Sequence, residues 1–399
     1  MANFNKYFLL TIDVEDWFQV ENFKPWILSS TWDQRELRVE RNVHRILNFF
    51  DSIALKRPVS QIYEKPTNSS QLTQSHSISP DSFQPVEFPS GRNEVNFTKP
   101  INPKATFFVL GWIAERIPHL VREIKNRGHE VASHGYNHEL CHQMLHNDLK
   151  ADLIKSKKLL EDITGENIYG YRAPSFSINN DILKLIQDCG YLYDSSFNSF
   201  GLNSRYGKVD FSGYKKDGIL IKISDDFYEL PISNLKLSLN LKSSINPTTR
   251  QTFMPLNSSQ NTSRANLTAA TNRSNQERVK FSSGKSKVNL RGSQKSISLD
   301  LPLGGGGYFR LIPFSILKLG VKSILRKESS YLFYFHPWEI DPGQPVVREA
   351  SRQYQFRHYI NLDQTHSKLA RLVESFKQCR FITCKDHLSK EIKMVSNEL

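Results

Sequence analysis

The sequence predicts an α/β fold whose parallel strands close into a barrel-like sheet. Three observations carry that prediction. Runs such as Tyr7–Val14 and Ala105–Leu110 are apolar almost throughout, as strands buried on both faces are. Stretches with apolar residues at helical spacing alternate with those runs. Polar and ionisable residues stand where the strands stop, which places a site at one mouth of the barrel.

Taken in order, Tyr7–Val14 is the first strand. Val39–Ala54 reads as a helix, with Val43, Ile46, Leu47 and Phe50 on one face. Ala105–Leu110 is the second strand, and Ile113–Arg127 a helix closed by Gly128. Glu130–Ser133 is a short strand running directly into His134. Asp148–Ile163 is an amphipathic helix ending at Gly165, Tyr169–Arg172 a strand, and Asn179–Cys189 a helix stopped by Gly190. Tyr191–Asp194 and Phe227–Pro231 are short strands. Gly304–Gly307 opens Tyr308–Pro313, Tyr331–His336 is a late buried strand, and Leu369–Phe376 is a final helix.

Two stretches lose this periodicity. Residues 56–103 fill with Ser, Pro, Asn and Gln, and residues 234–300 are rich in Ser and Asn; both read as disordered, low-complexity insertions in a single domain spanning 1–399. Residues 301–399 are then the C-terminal part of that domain with an extension of its own. The net charge is +13, and residues 234–300 hold 11 Lys and Arg against Glu277 and Asp300, so most of the excess sits there. Only Phe253 and Phe281 interleave with those charges, so the segment reads as solvated chain capable of weak contact with anionic surfaces, and no specific nucleic-acid partner is expected. Cys141, Cys189, Cys379 and Cys384 show no metal-type spacing and read as reduced thiols. The apolar run at Tyr7–Ile12 is too short for a signal peptide, and the longest apolar stretches are too short to span a membrane. A cytoplasmic location follows as the expectation.

His134-Gly-Tyr-Asn-His138 is the most informative segment. Two histidines four apart on a helical turn can point both imidazoles at one metal ion. A catalytic zinc usually takes three protein ligands and leaves a fourth position for water, so a carboxylate is needed. A bare pair at this spacing is more often two surface histidines, and the company decides. Asp13, Glu15 and Asp16 follow the first strand, His134 and His138 the third, Arg172 the fourth, and His336 the last. Singly each has a structural explanation: a capping acid, a salt-bridge arginine, a buried histidine. Together those explanations need coincidences at several strand ends.

Five segments occur in order: Thr-Ile-Asp13-Val-Glu15-Asp16-Trp-Phe, Ala-Thr-Phe-Phe-Val-Leu-Gly-Trp, Gly-His-Glu-Val-Ala-Ser-His134-Gly-Tyr-Asn-His138, Gly-Tyr-Arg172-Ala-Pro-Ser-Phe-Ser and Tyr-Phe-His336-Pro-Trp-Glu-Ile-Asp. With these the chain resembles the polysaccharide deacetylases of carbohydrate esterase family 4, the group sharing the nodulation-factor-deacetylase homology domain, and within them the branch associated with exosortase and exopolysaccharide clusters. Tyr-Asp194-Ser-Ser, Glu229-Leu-Pro, Gly-Gly-Gly-Tyr-Phe-Arg310-Leu and Phe-Arg357-His358-Tyr add to the likeness.

The resemblance implies a distorted (β/α) barrel of the polysaccharide deacetylase type and metal-assisted amide hydrolysis. It implies His134 and His138 as metal ligands, with either Glu15 or Asp16 as the acidic ligand, because Val14 stands where the family has a second aspartate. Asp13 matches the catalytic base, and Arg172 the arginine that keeps it ionised. The Ser175 backbone N–H is a candidate oxyanion donor. His336 matches the general acid, with Asp194 as its expected carboxylate partner. Arg310, Arg357 and His358 either line a sugar site or brace the C-terminal segment. The implied cofactor is a divalent metal, zinc first, with cobalt, nickel or iron also accommodated by the donor set. The implied substrate is an N-acetylated polysaccharide or a lipid-linked oligosaccharide precursor, handled by a protein associated with membrane-bound exopolysaccharide machinery. A deformylase or other amidase on the same fold, and a non-catalytic carbohydrate-binding relative, are the alternatives.

Overall fold

The structure is a computed structural model that describes residues 6–55, 101–201, 205–240 and 296–397. It forms two compact units, Met1–Lys236 with Asp300–Leu399, and Leu237–Leu299. The expected insertion at 56–103 lies outside the described residues except for 101–103, and that at 234–300 lies outside them over 241–295.

The first unit is built on β1 (Tyr7–Val14), whose eight residues are all buried. Helix α1 (Val39–Leu55) follows, then β2 (Ala105–Val109), α2 (Gly111–Arg116), α3 (Pro118–Asn126), β3 (Glu130–Ser133), α4 (His146–Thr164), β4 (Gly170–Tyr171), α5 (Asn180–Asp188) and β5 (Tyr193–Asp194). A hairpin of β6 (Lys215–Asp217) and β7 (Leu220–Lys222) leads to β8 (Tyr228–Glu229). Strands β9 (Leu235–Asn240) and β10 (Ser296–Leu301) pair with each other in a separate two-stranded sheet. The chain continues through α6 (Gly306–Leu311), α7 (Phe314–Glu328), β11 (Ser330–Phe335), α8 (Arg352–Tyr359), α9 (Leu362–Ser375), β12 (Arg380–Phe381) and α10 (Cys384–Asn397).

The main sheet runs β11-β1-β2-β3-β4-β5-β8-β7-β6, parallel from β11 to β8, with β12 also pairing with β1. Right-handed crossovers through helices are the ordinary way to connect parallel neighbours. The sheet curls until its two ends approach: beyond β8, Ser233 N–H reaches Leu332 O on β11, and Leu332 N–H donates to Ser233 Oγ. Gly304 and Gly305 lie against the same stretch of β11, with Gly304 O accepting from Tyr334 N–H. Gly305 has φ of 128°, and a Cβ there would sit 1.8 Å from Tyr334 O, so this closure needs a glycine. The result is the distorted (β/α) barrel that the sequence predicts.

Phe8, Leu10 and Ile12 of β1 enter the core beneath α1, while Leu9 packs inside the barrel with Phe108 and Leu332. Burying each such side chain stabilises the fold by roughly 1.5–3 kcal/mol. The helix expected over 113–127 is two helices, broken at Ile117. Pro118 removes a donor and disfavours a helical conformation before it, and Ile117 takes φ −128°, ψ 57°. Leu369–Phe376 is neither the start of its helix nor the last one; α9 begins at Leu362 and α10 follows.

Candidate active site

The barrel mouth is formed where β1, β3, β4 and β11 end. There a cleft of about 160 Å³ is lined by Asp13, Glu15, His134, His138, Ser175 and His336 among others.

β1 delivers the first two. Strand alternation puts Asp13 and Glu15 on one face, and both are buried. Asp13 Oδ1 accepts from Arg172 Nη1 at 2.6 Å. Arg172 is fully buried, and it also donates to Thr11 Oγ1, Ser195 O and Ser195 Oγ. A planar guanidinium held by four acceptors cannot swing away, so Asp13 keeps a fixed cationic neighbour. Asp13 Oδ2 faces His336 Nε2 at 3.9 Å.

His134 and His138 occupy a loop after β3, not a helical turn. Gly135 (φ 72°) and His138 (φ 54°) are both left-handed, which a helix excludes. Asp152 on α4 accepts the Tyr136 backbone N–H and pins the loop. A side chain at position 135 would meet Asp152 Oδ1 at 3.1 Å, so glycine serves both the backbone angle and this contact. His134 Nδ1 lies 2.8 Å from Arg172 O, an acceptor that requires the proton on Nδ1 and leaves the Nε2 lone pair available. Burial, outweighing the pull of Asp13 and Glu15, lowers the His134 pKa to about 4 and keeps the ring neutral.

Glu15, His134 and His138 offer ligand atoms all within 4.8 Å of one another. Glu15 Oε2 lies 2.6 Å from His138 Nε2 yet makes no hydrogen bond, although it is buried. A buried carboxylate oxygen without a donor, facing two imidazole nitrogens, is what an open divalent-metal site presents. The donor set therefore fits a metal of that class. Burial raises the Glu15 pKa, but His138, His336 and His134 outweigh it and hold the carboxyl far below the usual range. Its Oε1 accepts from Trp338 Nε1 at 3.2 Å.

Asp16 is turned elsewhere. Its oxygens accept the backbone N–H groups of Trp17, Arg38 and Val39, so it caps the start of α1. Of the two acids, the one brought to the histidines is Glu15.

His336 ends β11, and its expected partner Asp194 is not beside it. Asp194 accepts from Ser196 Oγ and Ser196 N, and it adjoins Glu229 in a buried carboxyl pair. Instead Glu339, three residues on, accepts from both Nδ1 (2.8 Å) and the backbone N–H of His336. Pro337–Ile340 form one helical turn, and this is its capping box, with Pro337 at the first position. Burial lowers the His336 pKa, but Glu15 and Glu339 together push it up to about 9. Behind Glu339 stands Arg310, fully paired: Nε donates to Glu339 Oε2 at 2.8 Å, and the terminal nitrogens donate to the carbonyls of Arg357, His358 and Ile360. His358 stacks on Trp338 at 4.2 Å and bonds Gln344. Arg310 and His358 thus brace the C-terminal segment, and Arg310 and Arg357 both line the cleft.

Ser175 and Phe176 follow β4 with φ of 51° and 58°. Two consecutive left-handed residues are strained, and strain of this kind gathers at functional sites.

Comparison with known proteins adds to this geometry. Residues 96–193 match the polysaccharide deacetylase family model, and residues 243–389 match a domain of unknown function (DUF3473). The chain thus carries a polysaccharide deacetylase-type segment over residues 96–193. It is 38% identical over 96 residues to a peptidoglycan deacetylase-like protein of Gibberella zeae, covering 24% of this chain and 28% of that one. It is 33% identical over 137 residues to a peptidoglycan deacetylase of Helicobacter pylori, covering 32% and 47%. The matched part therefore spans less than half the length of these relatives. A Mycobacterium smegmatis structure described as a polysaccharide deacetylase aligns over 94% of this chain and 93% of that one, at 17% identity and a TM-score of 0.43.

The cleft is composite. His134, His138 and Arg172 lie in the segment matching the deacetylase model, while Arg310, His336, Glu339 and Arg357 lie in the segment matching the domain of unknown function. Asp13 and Glu15 precede both. Among the described residues, no helix is long and apolar enough to cross a membrane.

Proposed function

We propose that this protein hydrolyses N-acetyl groups from amino sugars of an exopolysaccharide or its precursor, with a divalent metal, zinc first among candidates, held by Glu15, His134 and His138. The observation that carries the reading is the convergence of this three-donor cluster with an arginine-held aspartate and a carboxylate-held histidine in one cleft. When bound, the metal supplies Lewis-acid polarisation of the acetyl carbonyl and acidification of water.

The chain's own residues supply the proton transfers. Asp13 Oδ2 takes a proton from the attacking water; Arg172 on Oδ1 holds the carboxylate in place. His336 gives its Nε2 proton to the departing amine, and Glu339 on Nδ1 keeps the ring protonated and oriented. The Ser175 N–H at the cleft wall is the candidate donor to the carbonyl oxygen as charge develops there. Burial of Asp13, Glu15 and His134 excludes bulk water, which strengthens each of these interactions.

The test is acetate release from N-acetylglucosamine oligomers by the zinc-loaded protein, beside Asp13→Asn and His134→Ala variants. Acetate production lost in both variants supports the reading. An inactive parent, or an Asp13→Asn protein as active as the parent, overturns it, and formate release from formylated sugars would redirect it to another amide.

A further inference from the structure

The cleft carries cationic and phenolic side chains besides its carboxylates. Asp13 and Glu15 are engaged by Arg172 and the histidines. The same lining includes Arg205, Tyr206, Tyr308 and Arg357. These belong together. Tyr308 lies within electrostatic reach of both Tyr206 and Arg357. Arg205 Nη2 donates to Asn22 at 2.8 Å, and the neighbouring Phe23 packs on His358, next to Arg357 in sequence.

Arg357 is half-buried on α8. Its backbone carbonyl is fixed by Arg310 Nη2 at 3.0 Å, so its position is set by the same arginine that braces Glu339. No carboxylate of the described residues forms an ion pair with its guanidinium, whereas Arg38, Arg116, Arg127, Arg172 and Arg310 each have one. Glu21, a third carboxylate on the lining, has Lys24 at 3.9 Å. Gly307 lies against the same backbone: a Cβ there would meet Arg310 Nη2 at 3.6 Å and Arg357 O at 3.9 Å. A guanidinium without a carboxylate partner, on a cleft wall shared with Tyr308, suits a sugar carrying an oxyanion: the ring packs on the aromatic, and the anion takes the fork.

We infer that the part of the cleft wall carrying Arg357, with that arginine as its principal contact, binds a carboxylate or phosphate on the sugar ligand, so that the preferred substrate is an amino sugar next to an anionic group. This rests on the deacetylase reading of the cleft, but the anion site itself is tested by binding.

The full-length, zinc-loaded protein is titrated calorimetrically with three probes: the neutral N-acetylglucosamine tetramer, a hyaluronan tetrasaccharide whose glucuronates supply carboxylates, and UDP-N-acetylglucosamine, which supplies a diphosphate. Kd is measured for the parent, Arg357→Ala and Arg357→Lys, with kcat and KM for acetate release where turnover occurs. The parent is expected to bind one anionic probe at least about tenfold tighter than the neutral one, the scale of one charge-assisted contact. Arg357→Ala should bring that ratio close to one, Arg357→Lys should restore part of it, and added salt should shrink it. The preferred anionic probe then tells carboxylate from phosphate. A parent without preference, or an Arg357→Ala protein that keeps it, overturns the inference. Absence of turnover on every probe counts against deacetylation alone, because the affinity ratio still decides the anion site. Should Arg357→Ala fail to fold by circular dichroism, Arg357→Gln takes its place.

Discussion

Replacing Glu339 with Gln tests how the proton donor is held. The substitution keeps shape and an acceptor but removes one charge 2.8 Å from His336 Nδ1. At an effective dielectric of about 20, a unit charge about 4 Å from the ring is worth roughly 4 kcal/mol, or about three pKa units as an upper limit. The His336 pKa, held at about 9, should fall substantially. Some elevation should persist, since Glu15 Oε1 remains 3.5 Å from Nε2. A general acid works only while protonated, so activity is lost as pH rises through its pKa. A lower pKa moves that alkaline limb to lower pH. The expected result is a kcat profile whose alkaline limb shifts down by about two units. Arg310 also loses its carboxylate, and an uncompensated buried charge costs about 3–5 kcal/mol, moderated here by three backbone carbonyls. A lower melting temperature is therefore part of the expectation and does not decide the matter. The decisive measurement is the profile of the folded zinc-loaded variant, alongside the His336 ring titration followed by NMR. A folded Glu339→Gln protein with an unmoved alkaline limb and an unmoved ring pKa would refute the argument.

Glu15→Ala should reduce bound zinc from about one per chain to near zero, whereas Asp16→Asn should keep the metal and lower the melting temperature, because Asp16 caps α1; elemental analysis and thermal melts check both. Gly135→Ala should cost about 1–2 kcal/mol from the left-handed backbone alone and weaken zinc affinity, since both histidines flank that turn; denaturant titration and zinc competition measure the two effects. Glu229 is buried beside Asp194, and its carboxyl is held protonated far above the ordinary range, by burial first and Asp194 second. The folded chain thus keeps a proton that the unfolded chain releases near its ordinary value of 4.5, so stability contributed by this group declines as pH rises above it, at up to about 1.4 kcal/mol per unit. Glu229→Gln removes that slope and should lose less stability than the parent between about pH 5 and 7 by urea unfolding; equal slopes would dismiss the shared-proton pair.

Strands buried on both faces were legible because their periodicity is unambiguous: β1, β2, β3 and β11 fall within a residue or so of their sequence bounds. The three-donor cluster was legible only as residue types. Spacing alone suggested a helix for His134 and His138, and the left-handed angle at His138 leaves no sequence mark. The choice between Glu15 and Asp16 turned on where the chain goes after Val14. Arg38 and Val39, more than twenty residues away, claim Asp16, and no local rule reaches that far. Glu339 could have been found. Pro337 at the first position of a turn with an acid three residues after His336 is a capping-box signature, whereas the family resemblance points to a carboxylate on another strand.

The composite build of the cleft gives the C-terminal segment a physical task. A hydrolytic site with the metal donors and the base but without His336 could polarise an amide and activate water, yet it would expel an unprotonated amine, a very poor leaving group. In the proposed mechanism the segment from Arg310 to His358 provides the acid, its carboxylate, and the arginine that locks both to α8. Because Arg310 bonds Glu339 with one nitrogen and the Arg357 carbonyl with another, the proposed proton donor's partner and the α8 wall of the cleft share one brace. Arg310→Met should therefore disturb both together, shifting the alkaline limb through Glu339 and raising KM through α8. If only one of the two parameters moved in a folded variant, the acid and the α8 wall would have to be held independently, and the single-brace account would fail.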